Sequence, residues 1–177
     1  MTGLYLAVPA ALSDEECAAA IALADGRLEP APVNGGDGAI VNPVMRDVAS
    51  VLIERREAGW LFARLDDLFS WGAEAFDLAV GPIIEPIQIL RYDTGGHFQM
   101  WHSDAGGDRI EERRLSLSIE LSALEDHEGG ALEVVPELVG QPRMLEKGGA
   151  HLFPSRALHR VGPVTRGTRW ALVAWTG

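Results

Sequence analysis

The chain has 177 residues, 47% hydrophobic and 23% charged, a balance typical of one folded domain that excludes wholesale disorder. Its 26 acidic residues outnumber 15 basic ones, and the net charge of −11 argues against a protein that binds a nucleic-acid backbone. Cys17 is the one cysteine, so an internal disulfide and a thiolate zinc cage are excluded. The apolar run 4–12 is too short to span a bilayer, so we expect a soluble cytoplasmic protein without a membrane partner.

The first half of the chain carries helix signals. Ser13 and Glu16 have the spacing of a capping box, and the alanine-rich run behind them ends near Gly26. Loops and turns are predicted for 27–43, which is rich in glycine and proline. From about 48 to 80 apolar residues recur at spacings of three and four, which predicts one or two amphipathic helices.

From residue 83 onward the apolar period changes to two, which is typical of β-strands. The predicted strands are 84–92, 97–102, 114–122, 131–136, 143–145, 150–154, 159–161 and 168–176. Roughly eight short strands separated by glycine, proline and aspartate clusters favour a sandwich, barrel or jelly roll over a parallel α/β sheet. In the strand 114–122 we expect Ser116 and Ser118 to face a cavity, while the alternating leucines and isoleucine face the core.

The spacing of His102 and Asp104 suggests a metal site. In an extended strand, side chains two residues apart project from one face about 6.6 Å apart, so both can reach one ion. A second imidazole from a distant strand, for which His159 is the candidate, would complete the 2-His-1-carboxylate triad of non-haem Fe(II) oxygenases. By itself the pair is weak evidence, because such spacings also arise by chance.

Arg169 stands ten residues beyond His159, in an otherwise apolar and aromatic strand. A buried guanidinium needs a partner, and its planar fork suits a carboxylate. That carboxylate belongs either to a ligand or to an internal acid such as Glu120 or Glu133. Tyr92 likewise has two interpretations, as a packed core residue or as a hydrogen-bond donor into the site.

Together these motifs resemble the iron(II)- and 2-oxoglutarate-dependent dioxygenases, above all their prolyl-hydroxylase-like branch. The resemblance covers about 84–177, roughly half the chain. It is carried by motifs in a fixed order at 91–96 leading to 101–105, 114–122, 129–133, 148–155 and 159–169.

The resemblance implies a mainly β (α+β) fold, with a double-stranded β-helix (jelly-roll) core and packed N-terminal helices. Residues 1–177 would form one domain, in which 1–82 are mostly helical support and 83–177 are the catalytic core. Iron would be held by His102, Asp104 and His159.

The resemblance also implies a co-substrate site. Arg169 takes the place of the basic residue that binds the distal carboxylate of 2-oxoglutarate, and Tyr92 matches a tyrosine that hydrogen-bonds this co-substrate in some members. Ser116 and Ser118 are assigned to the same pocket because they share the strand face of Glu120. The carboxylate of Glu120 would repel 2-oxoglutarate there unless it points past the pocket or pairs with a base.

The implied function is that of a hydroxylase that uses Fe(II), 2-oxoglutarate and O₂ and releases succinate and CO₂. Ascorbate is a possible additional reductant. Its substrate would be a peptide side chain of prolyl type, an amino acid or a small metabolite, and no nucleic acid is expected. Two alternatives use the same barrel, a non-catalytic cupin-like metal- or ligand-binding module and a metal hydrolase or isomerase. The complete triad with Arg169 favours the hydroxylase, and Asp104 favours hydroxylation because related halogenases carry a small residue there.

Overall fold

The computed structural model describes residues 5–35, 38–83, 85–106, 113–135 and 143–177. Its helices are α1 (Asp14–Ala22) and α2 (Gly59–Phe76), with one 3₁₀ turn at Leu124–Asp126. Its strands are β1 (Leu6–Val8), β2 (Glu29–Pro30), β3 (Val33–Gly35), β4 (Gly38–Ile40), β5 (Ala49–Ile53), β6 (Ile87–Tyr92), β7 (Phe98–His102), β8 (Leu115–Glu120), β9 (His127–Gly129), β10 (Leu132–Val134), β11 (Ala150–Pro154), β12 (His159–Val161), β13 (Val164–Gly167) and β14 (Arg169–Thr176).

Two antiparallel sheets make up most of the fold. The larger sheet has the order β1-β11-β8-β14-β6-β5-β2, and the smaller has the order β10-β12-β7. Val134 and Val161 of the smaller sheet share a buried apolar cluster with Leu90, Phe153 and Ala171 of the larger one. The two sheets therefore pack face to face, as in a jelly roll.

The opposite face of the larger sheet packs against the helices. Alternate residues of β8, including Leu117, share a buried cluster with Leu65 of α2. Gly72 of α2 allows this close approach, since a Cβ there would lie 2.7 Å from Cδ2 of Leu152. Because side chains alternate along a strand, β8 turns its leucines toward the helices and its serines into the sandwich, as the sequence predicts.

The capping box is confirmed, because the backbone N–H of Glu16 donates to Ser13 Oγ (3.2 Å) and the backbone N–H of Ser13 donates to Glu16 Oε2 (2.9 Å). The helix ends at Ala22, earlier than predicted, and a turn with positive φ at Gly26 follows.

The first half is less helical than the sequence predicts. Residues 49–53 were assigned to a helix, but they form β5, which pairs with β6. A short apolar run fits either period, and here the free edge of β6 decides in favour of a strand. With β1 and β2, the N-terminal part thus contributes three strands to the larger sheet.

In the second half the mainly β prediction is confirmed. The strands predicted at 150–154 and 159–161 have the observed bounds, and five others are shorter than predicted by one or more residues. Residues 84 and 136 of two of these predictions lie outside the described residues. The strand predicted at 143–145 is wrong, because only an isolated bridge between Arg143 and Leu132 forms there. Within the described ranges, neither helix has the combination of length and apolar character needed to cross a membrane.

Candidate metal centre

The three predicted metal ligands lie together at one end of the paired strands β7 and β12. They are His102, Asp104 and His159. His102 ends β7 and His159 begins β12, and the antiparallel pairing of these strands puts the two histidines opposite each other. Their ring centroids are 4.2 Å apart. Asp104 lies two residues beyond the end of β7, so the pairing brings all three side chains to one place.

Backbone carbonyls orient both imidazoles. Nδ1 of His102 lies 2.9 Å from the carbonyl oxygen of Met100, and Nδ1 of His159 lies 3.0 Å from that of Ala157. A carbonyl oxygen only accepts, so each Nδ1 carries a hydrogen and Nε2 is left as the ring nitrogen that can bind a metal. This is the arrangement that a metal-ligating histidine requires.

The donor atoms are spaced for one ion. Nε2 of His159 is 3.4 Å from Asp104 Oδ2, Nε2 of His102 is 4.0 Å from Asp104 Oδ1, and donors from all three residues lie within 4.8 Å of one another. Two nitrogens and a carboxylate oxygen can each reach a shared ion at about 2 Å. The donor set fits the facial triad of non-haem Fe(II) enzymes.

The charges of the triad act on the protonation states of its own members. Burial acts to lower the pKa of His159, but Asp104 raises it. Burial, together with the charge of His159, lowers the pKa of His102 to about 4, so its imidazole is neutral near pH 7. Burial acts to raise the pKa of Asp104, but His159 and then His102 hold it well below its usual range. Asp104 is therefore an ionised carboxylate.

Two serines fix the carboxylate ligand. The hydroxyl of Ser116 donates to Asp104 Oδ2 (2.8 Å) and lies 2.9 Å from Oγ of Ser155. The backbone N–H groups of Asp104 and Ala105 both donate to the carbonyl oxygen of Ser155 (3.0 Å each). Ser116, which the sequence assigns to the co-substrate pocket, thus contacts a metal ligand. Ser155 lies in the motif at 148–155, but no role is predicted for it from sequence.

Aromatic rings complete the support of the imidazoles. Phe98 stacks on His102 with centroids 3.7 Å apart, and Phe153 lies 4.8 Å from the ring of His159. Both phenylalanines come from strands, so the rings are held by the sheets rather than by loops.

A cavity of about 440 Å³ opens beside the triad, a size typical of small-ligand sites. Of the co-substrate residues predicted from sequence, Tyr92, Ser118 and Arg169 line it together with the metal site. Ser116 is outside this lining and stays a prediction as a co-substrate residue.

Arg169 is fully buried at the start of β14, where it pairs in register with Tyr92 of β6. Its Nε and Nη2 donate to the two carboxylate oxygens of Glu120, at 2.9 and 2.8 Å. The guanidinium carbon lies 5.1 Å from the centre of the Tyr92 ring. Of the internal partners expected from sequence, Glu120 is the one observed, and Glu133 pairs with Arg160 instead.

One edge of the Arg169 guanidinium is unused. Nη1 is buried and has no hydrogen-bond partner among the described residues, although Arg169 lines the cavity. A buried N–H without a partner is costly, and a ligand carboxylate would satisfy it. Burial acts to raise the pKa of Glu120, but Arg169 and then His151 lower it to about 2. From sequence, Glu120 is expected to repel 2-oxoglutarate unless it pairs with a base. Its pairing with Arg169 meets that condition.

Arg46, another arginine of the cavity wall, was missed from sequence. Arg46 lies in a loop, with its guanidinium carbon 5.0 Å from the ring centre of Phe98. It donates to the carbonyl oxygen of Pro32 (3.0 Å) and to Oε1 of Gln88 (3.2 Å). Burial lowers the pKa of Arg46. Its place in a loop left no periodic signal to find.

A sequence model of the 2OG-Fe(II) oxygenase superfamily matches residues 87–177, the stretch that carries the motifs described above. A PKHD-type hydroxylase of Synechococcus sp. (strain JA-2-3B'a(2-13)) is 36% identical over 104 residues, 56% of this chain and 46% of that protein. The chain therefore spans about half the length of that relative. A PKHD-type hydroxylase of Delftia acidovorans is 33% identical over 182 residues, 98% of this chain and 78% of that protein.

Among solved structures, a Pseudomonas putida prolyl-4-hydroxylase has a similar fold, with a TM-score of 0.78. The superposition covers 99% of this chain and 92% of that one, at 19% sequence identity. This likeness confirms the predicted jelly-roll fold.

Replacing both histidines, His102→Ala with His159→Ala, should abolish tight Fe(II) binding, because one carboxylate is left as the sole ligand of the triad. Anaerobic calorimetry measures this. His97→Ala serves as the control, since His97 is outside the triad, and it should bind Fe(II) as the wild type does. Tight binding by the double variant would show that the ligands are wrongly assigned.

Ser116→Ala should weaken Fe(II) affinity by about 10- to 100-fold, the usual effect of losing a residue that orients a metal ligand. Ser118→Ala is the matched control, because Ser118 is on the same strand face but lines the cavity rather than bonding Asp104. The same anaerobic titration applies. Equal affinities in the two variants would contradict an orienting role for Ser116.

Proposed function

Because the chain belongs to the 2OG-Fe(II) oxygenase superfamily, we propose that it is an Fe(II)- and 2-oxoglutarate-dependent hydroxylase. One observation carries the proposal: the triad of His102, Asp104 and His159 shares a cavity with the unsatisfied, buried Nη1 of Arg169. A metal-chelating group and a remote carboxylate on one small molecule would satisfy both ends of this cavity.

The triad would hold Fe(II), which together with 2-oxoglutarate and O₂ supplies oxidative hydroxylation of a C–H bond with release of succinate and CO₂. The part of the chain itself is to hold its ligands still. Asp104 is fixed by Ser116 and by the backbone of the loop after β7, and each imidazole is fixed by its own carbonyl. Three ligands on one side leave the cavity side for the co-substrate.

Arg169 would orient 2-oxoglutarate. Its Nη1 donates to the remote carboxylate, while Glu120 holds the other edge of the guanidinium. Tyr92 lies under the guanidinium and Ser118 lines the same cavity, which supports their assignment to the co-substrate site.

We propose that the substrate is a peptide side chain of prolyl type. An amino acid and a small metabolite, the other substrates that the sequence allows, are the alternatives. Support comes from the similarity to PKHD-type hydroxylases and to a prolyl-4-hydroxylase fold. The cavity also has an accessible apolar rim, since Leu52 and Met100 line it and are exposed. An apolar ring with an amide on either side fits such a rim.

We further propose that residues 1–177 act as one domain in a reducing compartment such as the cytoplasm. Strands from both halves of the chain form one sheet, which supports the single domain. The free, buried thiol of Cys17 fits a reducing environment.

Arg169→Ala should lower 2-oxoglutarate affinity by roughly 30-fold or more, because a desolvated, charge-assisted contact is lost and typically contributes about 2–5 kcal/mol. Fe(II) affinity should change little, since the triad is intact. Arg169→Lys should recover only part of the loss, because an ammonium lacks the planar fork. The measurement is a titration of 2-oxoglutarate into Fe(II)-loaded protein without oxygen, and an unchanged affinity in a destabilised Arg169→Ala variant would reject the co-substrate role.

With O₂ admitted, the Fe(II)-loaded protein should convert 2-oxoglutarate to succinate faster when a proline-containing peptide is added. A peptide with alanine in place of proline is the control substrate, and Asp104→Ala is the control protein. Mass spectrometry should find one added oxygen atom on the proline peptide. No succinate formation above that of Asp104→Ala, whichever peptide, amino acid or small metabolite is added, would favour the non-catalytic binding module.

A further inference from the structure

Arg169 is the end of a buried chain of hydrogen bonds. Glu120 binds the guanidinium of Arg169, and its Oε1 also lies 3.1 Å from Nε2 of His151. Nδ1 of His151 is in turn 2.7 Å from the hydroxyl of Tyr5. The side chains of Arg169, Glu120 and His151 are at most 5% exposed, so water does not screen these charges.

The chemistry of the groups fixes the direction of each bond. An ionised carboxylate can only accept, so His151 donates its Nε2–H to Glu120. When the ring is neutral, Nδ1 is left to accept the hydroxyl hydrogen of Tyr5. Arg169, Glu120 and His151 come from β14, β8 and β11, and Tyr5 directly precedes β1; these strands are neighbours in the larger sheet. The sheet thus holds Glu120 from the side opposite Arg169.

We propose that Glu120, fixed by His151 and Tyr5, is a built-in counterion that reduces the attraction of Arg169 for the remote carboxylate of 2-oxoglutarate. The co-substrate, and the succinate formed from it, are then held loosely enough to exchange. Glu120 is a positioning residue in this role, since it acts through Arg169, and the inference rests on the function proposed above.

The physical reason is that two carboxylates share one guanidinium. Glu120 occupies Nε and Nη2, so a ligand carboxylate at Nη1 binds a cation whose charge is already balanced. The carboxylates of Glu120 and of the ligand would then be about 6 Å apart and would repel each other. At an effective dielectric constant of about 20, this repulsion weakens ligand binding by about tenfold to hundredfold. Removing the charge of Glu120 should therefore strengthen ligand binding.

A purely structural ion pair predicts the opposite sign. If Glu120 serves only to join β8 and β14, then Glu120→Gln leaves a buried cation without its partner, destabilises the fold and leaves the ligand site unchanged or disordered. In that case 2-oxoglutarate binds as in the wild type or more weakly.

The test is a titration of 2-oxoglutarate, and separately of succinate, into Fe(II)-loaded wild type and Glu120→Gln without oxygen. We expect Glu120→Gln to bind both dicarboxylates at least about tenfold more tightly, while its ligand-free melting temperature falls. Glu133→Gln is the matched control, since Glu133 is also buried and pairs with Arg160, outside the cavity lining. That variant should lose thermal stability with no change in dicarboxylate affinity.

A second measurement on the wild type covers the case in which Glu120→Gln does not fold. In 4-nitro-2-oxobutanoate an uncharged nitro group replaces the remote carboxylate of 2-oxoglutarate with the same shape. Because Glu120 already balances Arg169, we expect this probe to bind less than about tenfold more weakly than 2-oxoglutarate, against roughly 30-fold or more for an unbalanced arginine.

The outcomes separate the two proposals. No binding of 2-oxoglutarate to the Fe(II)-loaded wild type would reject the proposed function. Normal binding to the wild type, with equal or weaker binding to folded Glu120→Gln, would reject the counterion role alone. A loss of about tenfold or more for the nitro probe in the wild type would also reject it.

Discussion

The antiparallel register between β7 and β12 is the constraint on which the rest of the site depends. It places His102 opposite His159, and the chain leaving β7 then brings Asp104 to the same point. Side chains alternate along a strand, so a shift of one residue in either strand would turn one imidazole to the far face of the sheet. The placement of the two histidines is therefore a property of strand pairing, and the loop after β7 adds Asp104 to them.

The two faces of the larger sheet have different roles, one in the apolar core and one in the candidate site. The face of β8 that carries Leu117 packs against α2 in the main apolar core. The other face carries Ser116, Ser118 and Glu120, which respectively hold a metal ligand, line the cavity and pair with Arg169. One six-residue strand thus serves the fold on one side and the site on the other, because its period of two matches the two faces of the sheet.

Buried charge is balanced pair by pair around the cavity. Asp104 is held ionised by the two histidines, and Glu120 by Arg169 and His151. The chain as a whole is acidic, with a net charge of −11, but the free Nη1 of Arg169 makes this cavity locally suited to an anionic ligand. Arg46 and Arg113 also line this cavity, in addition to Arg169.

The sequence by itself determined what local period and spacing encode: the capping box at Ser13, the alternation of β8, the His102–Asp104 pair, and the spacing of Arg169 from His159. It misassigned 49–53, where a short apolar run fits both a helix and a strand and only the neighbouring β6 decides. Tertiary structure alone decided which distant groups meet. Contacts such as Ser155 with Ser116, or Tyr5 with His151, join residues far apart in the chain, and a local pattern carries no record of strand order or register.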